Sequence, residues 1–304
     1  MKIVKKLIVV LSLALMVTLV FTGCAKEKTS ASQPTENANA SDFNSDKDIT
    51  VIARDSASGT RGAFHELMKI KVKEGDKEID KLVVGALEFD GTDKVITAVE
   101  GDKYAIGYIS LGSVSDRIKA ASVDSVEATI ENVKNKSYKV ARPFLLVTKG
   151  VENELVKNFL SFADSKQGQE IVESKHYISA VDSPVDYVVS SLSGNIKVAG
   201  STSVTPVMET LQEAYQELNP GVTFEMQSQG SSQGIKAAID GTYDIGMSSR
   251  ELKDDEKSKL NEHVLAIDGI AVILNNQNPT SDLSSENITK IFTGEATKWS
   301  EVTK

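Results

Sequence analysis

Residues 196–211 read IKVAGSTSVTPVMETL. A β-branched run from Ile196 to Ala199 enters a turn of glycine and hydroxylated side chains, Gly200-Ser201-Thr202-Ser203-Val204, and a helical pattern follows. The same unit recurs. Ala53-Arg54-Asp55-Ser56-Ala57-Ser58-Gly59-Thr60 follows the strand from Ile49, and Gln229-Gly230-Ser231-Ser232-Gln233-Gly234 follows the strand Val222–Met226. A helix N-terminus leaves backbone N–H groups unpaired and carries partial positive charge, so each turn can cap its own helix or bind an anion. Taken singly, Ser and Thr are ordinary N-caps. Three such turns in one chain favour the anion, and Arg54 adds a planar fork that matches an oxyanion. A fourth segment, Gly246-Met247-Ser248-Ser249-Arg250, ends a strand with two hydroxyls and a second arginine.

Around these units, short β-branched runs alternate with amphipathic helical patterns, the signature of an α/β fold. Strands are expected at Ile49–Ala53, Tyr104–Ile109, Arg142–Thr148, Asp244–Met247 and Leu265–Leu274. Helices are expected at about 61–70, 152–163 and 166–173, and residues 181–194, with Pro184 and a Ser-Leu-Ser-Gly ending, read as a connector.

The composition excludes several classes. With 43 acidic against 34 basic residues, a net charge of −9 argues against a nucleic-acid or anionic-membrane surface. One cysteine and three scattered histidines supply neither a disulfide framework nor a metal-ligand spacing, and no phosphate loop of the G-x-x-x-x-G-K-[ST] type occurs. No cofactor is expected. Gly230-Ser231-Ser232-Gln233-Gly234 fits the nucleophile elbow of a hydrolase, which gives an enzymatic alternative built on Ser232. It needs a base, and only His263 follows it in the chain. His65 and His176 read as surface or packing residues.

The single cysteine has a place of its own. Lys2, Lys5 and Lys6 precede an uncharged run from Leu7 to Thr22 that ends at Gly23-Cys24, which reads as an export signal over 1–23. Phe21-Thr22-Gly23-Cys24 resembles a bacterial lipobox, although Phe21 stands where Leu is usual. The resemblance implies lipid modification of Cys24, an extracytoplasmic location on the cell membrane, and a mature side-chain charge of −12 once the three lysines are removed. Residues 24–47, polar and nearly free of large apolar side chains, are expected to form a flexible tether.

Four segments together carry a wider resemblance. They are ITVIARDSASGTRGAF (49–64), IKVAGSTSVTPVMETL (196–211), QSQGSSQGIKAAIDGTYDIGMSSREL (227–252) and ITKIFTGEATKWSEV (288–302). From Asp48 onward the chain resembles the phosphate-binding lipoproteins of bacterial phosphate ABC transporters, two-domain proteins with the type II periplasmic-binding-protein fold. The resemblance implies a non-enzymatic receptor that captures inorganic phosphate in an interdomain cleft and delivers it to a membrane permease. By motif, it implies phosphate contacts from Thr202, Ser203, Ser232, Ser249 and Arg250 on one side, and from Arg54, Ser58, Gly59 and Thr60 on the other. Two departures stand out. The family's second half occupies about 48–180 here and its first half about 195–304, as in a circular permutant whose old ends are bridged by 181–194; a fragment of a longer or duplicated chain is the rival explanation. On this reading one lobe comprises 48–112 with 276–304 and the other 113–275. The second departure is on the third binding segment, where some members carry an Asp that accepts a hydrogen bond from protonated phosphate. Ser249 and Arg250 stand there in this chain, so the acceptor falls to Asp55 or a hydroxyl, and another oxyanion such as sulfate or molybdate is the alternative ligand.

Overall fold

The segment Thr50–Arg54 is buried at four of its five residues, as a central parallel strand covered on both faces should be. In the computed structural model, which describes residues 43–75 and 77–303, it forms β1 (Thr50–Arg54). Helix α1 (Gly59–Leu67) follows, capped by the Ser58 hydroxyl, which accepts from the Arg61 amide. It stops short of the expected Ile70 because Lys69 takes a left-handed conformation, φ 54°, and the chain turns into an exposed hairpin of β2 (Lys71–Glu74) and β3 (Lys77–Asp80). Strands β4 (Leu87–Phe89) and β5 (Ala105–Ser110) flank β1 in parallel, with α2 (Thr92–Gly101) as their crossover. Next come β6 (Lys119–Val123) and the short α3 (Ile130–Lys134).

β7 (Ala141–Thr148) leads to α4 (Glu154–Ala163), α5 (Lys166–Ser174) and β8 (Ile178–Ser179). A parallel β-α-β series follows: β9 (Gly194–Gly200), α6 (Thr205–Leu218), β10 (Val222–Ser228), α7 (Ser231–Asp240) and β11 (Ile245–Ser248). After α8 (Asp254–Lys257), the long β12 (Asn261–Leu274) runs back antiparallel to β7, and β13 (Asp282–Leu283) and α9 (Ser285–Thr293) precede a 3-10 turn at Trp299–Glu301.

Two principal cores result. The first gathers Phe64, Tyr108, Val123, Tyr138, Ile270 and Trp299; the second gathers Phe144, Phe159, Phe162, Val198, Leu211 and Leu265. They part elsewhere than the sequence reading puts them. Residues 113–140 belong with the first core, because β6 pairs with β12 and β13 and Val133, Tyr138 and Val140 pack beneath them. The changeovers therefore fall at about 141 and 267 rather than at 112 and 275, at the two strands that connect the lobes. β12 is paired to β7 through Gly269 and to β5 from Ile270 onward, so one continuous strand serves both cores. A run of fourteen residues suits that position, since a hinge made of paired strands keeps its backbone hydrogen bonds on both sides of the bend.

The two ends of the described chain lie side by side in the first lobe. Asp48 bridges Lys298, Ile49 N–H donates to Thr297 O at 2.7 Å, and Ser300 N–H donates to Ser45 O at 2.8 Å. Phe43 packs its ring 5.1 Å from Tyr104 and 6.1 Å from the buried Trp299. Residues 43–47 of the expected tether are thus folded onto the core, because Phe43 gives that segment the apolar anchor the rest of it lacks. The export signal, Cys24 and the tether up to residue 42 lie outside the described residues. At 181–193 the chain has no regular secondary structure; Tyr187 pins it between Phe162 and Tyr215 and donates its hydroxyl to Asn158 at 2.6 Å.

Candidate functional site

Three helix N-termini converge where the lobes meet. β9 ends at Gly200 with φ 142°, a conformation that only glycine holds easily, and a Cβ there would lie 2.2 Å from Met247 O. That close approach lets Ser201 N–H donate to Met247 O and turns the 201–204 segment into α6. Gly230, φ 104°, donates its N–H to Gly200 O at 2.8 Å and starts α7 at Ser231. The second lobe thereby presents Ser201, Thr202, Ser203 and Ser231 around Ser249 at the end of β11. Ser201 donates to the Ser249 hydroxyl at 2.8 Å, and the Ser231 hydroxyl accepts from Ser249 N–H at 3.0 Å.

The first lobe brings Arg54, from the end of β1, and the N-terminus of α1. Contacts across the lobes are direct: Arg54 Nη2 donates to Thr202 Oγ1 at 2.9 Å, Thr60 and Ser203 share a hydrogen bond at 3.0 Å, and Ser232 N–H donates to Ala57 O at 3.1 Å. Gly59 meets the second lobe so closely that a Cβ would stand 2.2 Å from Ser231 Oγ. Arg54, Ser58, Thr60, Ser203 and Ser249 are all at most 4% exposed.

Arg54 is electrostatically unlike the other arginines. Its guanidinium donates to Phe89 O, Asp90 O, Thr92 Oγ1 and Thr202 Oγ1, all neutral acceptors. The chain has four further arginines, and each has a carboxylate within bonding distance: Arg61 with Asp80 and Glu88, Arg117 with Glu100, Arg142 with Asp268, Arg250 with Glu256. Among the described residues Arg54 has none. Burial accordingly pulls its pKa below the ordinary arginine value, opposed mainly by the more distant charge of Asp55. A buried cation with only neutral hydrogen bonds is costly by itself and is compensated by an anion. Asp55 holds a further unsettled group, an Oδ1 that is buried and has no hydrogen-bond partner.

The structure brings together Arg54, Gly59, Thr60, Thr202, Ser203 and Ser249 of the sequence-predicted residues, with Ser58 as the adjoining cap. Two others stand apart. Arg250 turns its guanidinium to Glu256, at 2.7 and 2.8 Å, which neutralises it outside the hydroxyl cluster. Ser232 lines an open hollow of about 580 Å³ at the mouth of the cleft, whereas Ser231, one position earlier in α7, faces Ser249. Sequence reasoning missed Ser201 and Ser231, although both lie in the turns it singled out, because the turn register decides which hydroxyl points inward. It also missed the buried ion pair of Arg142 and Asp268, at 3.0 Å, whose signal is one charge set within the apolar part of each of two strands. Arg142 Nη1 donates to Ser249 O at 3.0 Å and so fixes the floor of the cluster. Of the surface and packing roles expected for His65, the packing one holds, since it is fully buried, and it is in addition bonded at both ring nitrogens, to Asp80 and Tyr108.

The chain matches the sequence profile described as the PBP superfamily domain over residues 18–167 and 187–304. It belongs to that superfamily. The interruption, 168–186, overlaps the connector. Phosphate-binding protein PstS 2 of Streptococcus agalactiae is 42% identical over 289 residues, 94% of each chain, and the protein of the same name from Streptococcus pneumoniae is 43% identical over 84% of this chain and 87% of its own. Matches of that length run collinearly, so these superfamily relatives share the segment order of this chain. A solved phosphate-binding protein of a phosphate ABC transporter from Streptococcus pneumoniae superimposes with a TM-score of 0.70 at 43% identity, covering 84% of this chain and all of that one. The two-lobed architecture expected from the sequence is the fold of this superfamily member.

Proposed function

We propose that this protein is an extracytoplasmic receptor that closes its two lobes on inorganic phosphate and hands it to the permease of an ABC transporter, held at the membrane by a lipid on Cys24. The observation that carries the reading is Arg54, among the described residues the one buried arginine without a carboxylate, at a junction of hydroxyls and helix N-termini. The names of the similar proteins point to the same ligand. Among the described residues no helix is long and apolar enough to cross a membrane. Ligand that touches Arg54 and Thr60 from one lobe and Ser203 and Ser249 from the other favours the closed form, because only that form offers both sets of contacts. A micromolar dissociation constant needs about 8 kcal/mol. Helix termini contribute about 0.3–1 kcal/mol each, so charge-assisted bonds to Arg54, roughly 1.5–3 kcal/mol apiece, decide the affinity.

Calorimetry of the purified protein with phosphate, sulfate and molybdate tests the reading: saturable binding of phosphate is expected, and heat from sulfate or molybdate alone would replace the ligand. The hydrolase alternative is disfavoured, since His65 commits both nitrogens elsewhere and His263, beside Asp164, lines a hollow with Thr148 and Asn261 that is not the one Ser232 lines. Ser232→Ala should leave no ester hydrolysis to lose.

Selectivity is assigned to Asp55, whose unpartnered Oδ1 is an acceptor with no donor of its own, unlike the hydroxyl of Ser249. Asp55→Asn is expected to lower the phosphate-to-sulfate affinity ratio by about tenfold, one good hydrogen bond to a charged group; an unchanged ratio moves the acceptor to a hydroxyl. Gly59→Ala tests closure. Its Cβ would press on Ser231 Oγ at 2.2 Å and Ser249 Oγ at 2.8 Å, so phosphate affinity should fall about tenfold with little change in unfolding midpoint. Equal affinity would mean that the lobes meet differently around the ligand.

A further inference from the structure

We infer that His65, in its neutral form, positions Arg54 for anion binding through Tyr108, and that a proton on His65 weakens that binding. The inference rests on the reading of Arg54 as the cation that meets phosphate.

One assignment of protons pairs every donor in this set of hydrogen bonds. The backbone N–H of Arg54 can only donate, and it lies 3.2 Å from the Tyr108 hydroxyl, which accepts it. The phenol has a single hydrogen, and His65 Nε2, 3.1 Å away, receives it. Nε2 is therefore unprotonated. His65 carries its hydrogen on Nδ1 and donates it to Asp80 Oδ1 at 3.0 Å, which selects that tautomer. His65 and Tyr108 are both fully buried, so no solvent can replace a lost partner.

A second proton on the imidazole breaks the chain. Nε2–H would then face the Tyr108 oxygen, whose own hydrogen has lost its acceptor. Leaving a buried donor unpaired is costly, and rotation of the phenol to escape takes the acceptor away from Arg54 N–H. Arg54 is the last residue of β1, so its guanidinium inherits any shift of that peptide. The charges facing His65 are Asp80 on β3, Arg61 on its own helix and Glu88 on β4, and the neutral, titratable Tyr108 faces it from β5. Asp80 is shared, since it also binds Arg61 at 3.0 Å and accepts from Leu82 N–H at 3.1 Å. Burial outweighs the pull of Asp80 and holds the imidazole below its ordinary range, so the neutral form prevails near neutrality.

Linkage gives the test a sign. If protonation weakens binding, then binding must lower the His65 pKa by the reciprocal amount, whereas plain attraction to a nearby anion would raise it. The experiment follows the His65 ring by NMR through a pH titration of the wild-type protein with and without saturating phosphate, alongside calorimetry of variants. A lower His65 pKa with phosphate is expected; a raised or unchanged one overturns the inference. His65→Gln keeps an acceptor for Tyr108 that does not titrate, so its affinity relative to wild type should rise at least about threefold between about pH 7.5 and about 5.5. Comparing the two proteins at each pH cancels the ionisation of phosphate itself. Tyr108→Phe should weaken binding at about pH 7.5 by roughly fivefold and abolish the difference that depends on His65. A constant Gln-to-wild-type ratio overturns the positioning role. Wild-type protein that binds no phosphate at any pH overturns the functional reading, and this inference with it.

Discussion

Replacing Arg54 by alanine is expected to weaken phosphate binding about a hundredfold, close to 3 kcal/mol, when measured by calorimetry on wild-type and variant protein. The size of the effect comes from the pairing pattern. Arg54 is 1% exposed and spends its donors on carbonyl and hydroxyl oxygens, with no carboxylate to neutralise it. An oxyanion at the Thr202 and Thr60 junction would be its sole full counter-charge among the described residues, and a guanidinium–oxyanion bond out of water is worth more than any neutral bond nearby. The same variant should not lose stability in proportion, because removing an uncompensated buried cation also removes its desolvation cost. Affinity within threefold of wild type would take Arg54 out of the site.

Arg142→Ala is expected to destabilise the protein by about 3–5 kcal/mol, measured by denaturant unfolding, because it strands Asp268 in the hinge. Arg142 and Asp268 are 4% and 1% exposed, and each is the other's charge partner across β7 and β12. Asp268 keeps one other side-chain bond, from the Ser110 hydroxyl at 2.9 Å. Burial already raises the Asp268 carboxyl to about 6, against the pull of Arg142, so the folded protein takes up that proton more readily than the unfolded chain does. This group's contribution to stability is therefore greatest below the unfolded carboxylate value of about 4 and falls as pH rises to about 6. Without Arg142 the carboxyl should rise further. The penalty of Arg142→Ala should accordingly be larger near pH 7.5 than near pH 5, where Asp268 can protonate. A penalty independent of pH would mean that solvent or a main-chain donor takes the place of Arg142. Because Arg142 also holds Ser249 O, the variant should bind phosphate more weakly at both pH values.

Much of the site was legible because turns advertise themselves. Strand, glycine, hydroxyl and helix in that order mark a helix N-terminus, and the chemistry of such a terminus does not depend on where it lies in the fold. Arg54 was visible for the same reason, as a charge at the mouth of a turn. The failures have a common cause. Ser231 and Ser232 are equivalent on paper, and a rotation of about 100° per helical residue separates one facing Ser249 from one facing the open hollow. Arg54 and Arg250 are equivalent on paper too, and Glu256 distinguishes them by six residues of chain that a helical turn folds back. The lobe boundary was misplaced for a related reason: pairing of β6 with β12 is a contact between residues about 150 apart, and no local pattern records it.

The sequence by itself determined the alternation of strand and helix, the three hydroxyl-bearing turns that open helices and the two arginines beside such turns, because each depends on residues close together in the chain. Tertiary structure alone decided which hydroxyls meet, which arginine is left without a carboxylate, and where the lobes divide. It also turned His65 from a surface or packing residue of a helix into a link between Asp80 and the backbone of Arg54. Burial is the physical reason, since hydrogen-bond partners become fixed and charges become costly only once distant segments have excluded water from between them.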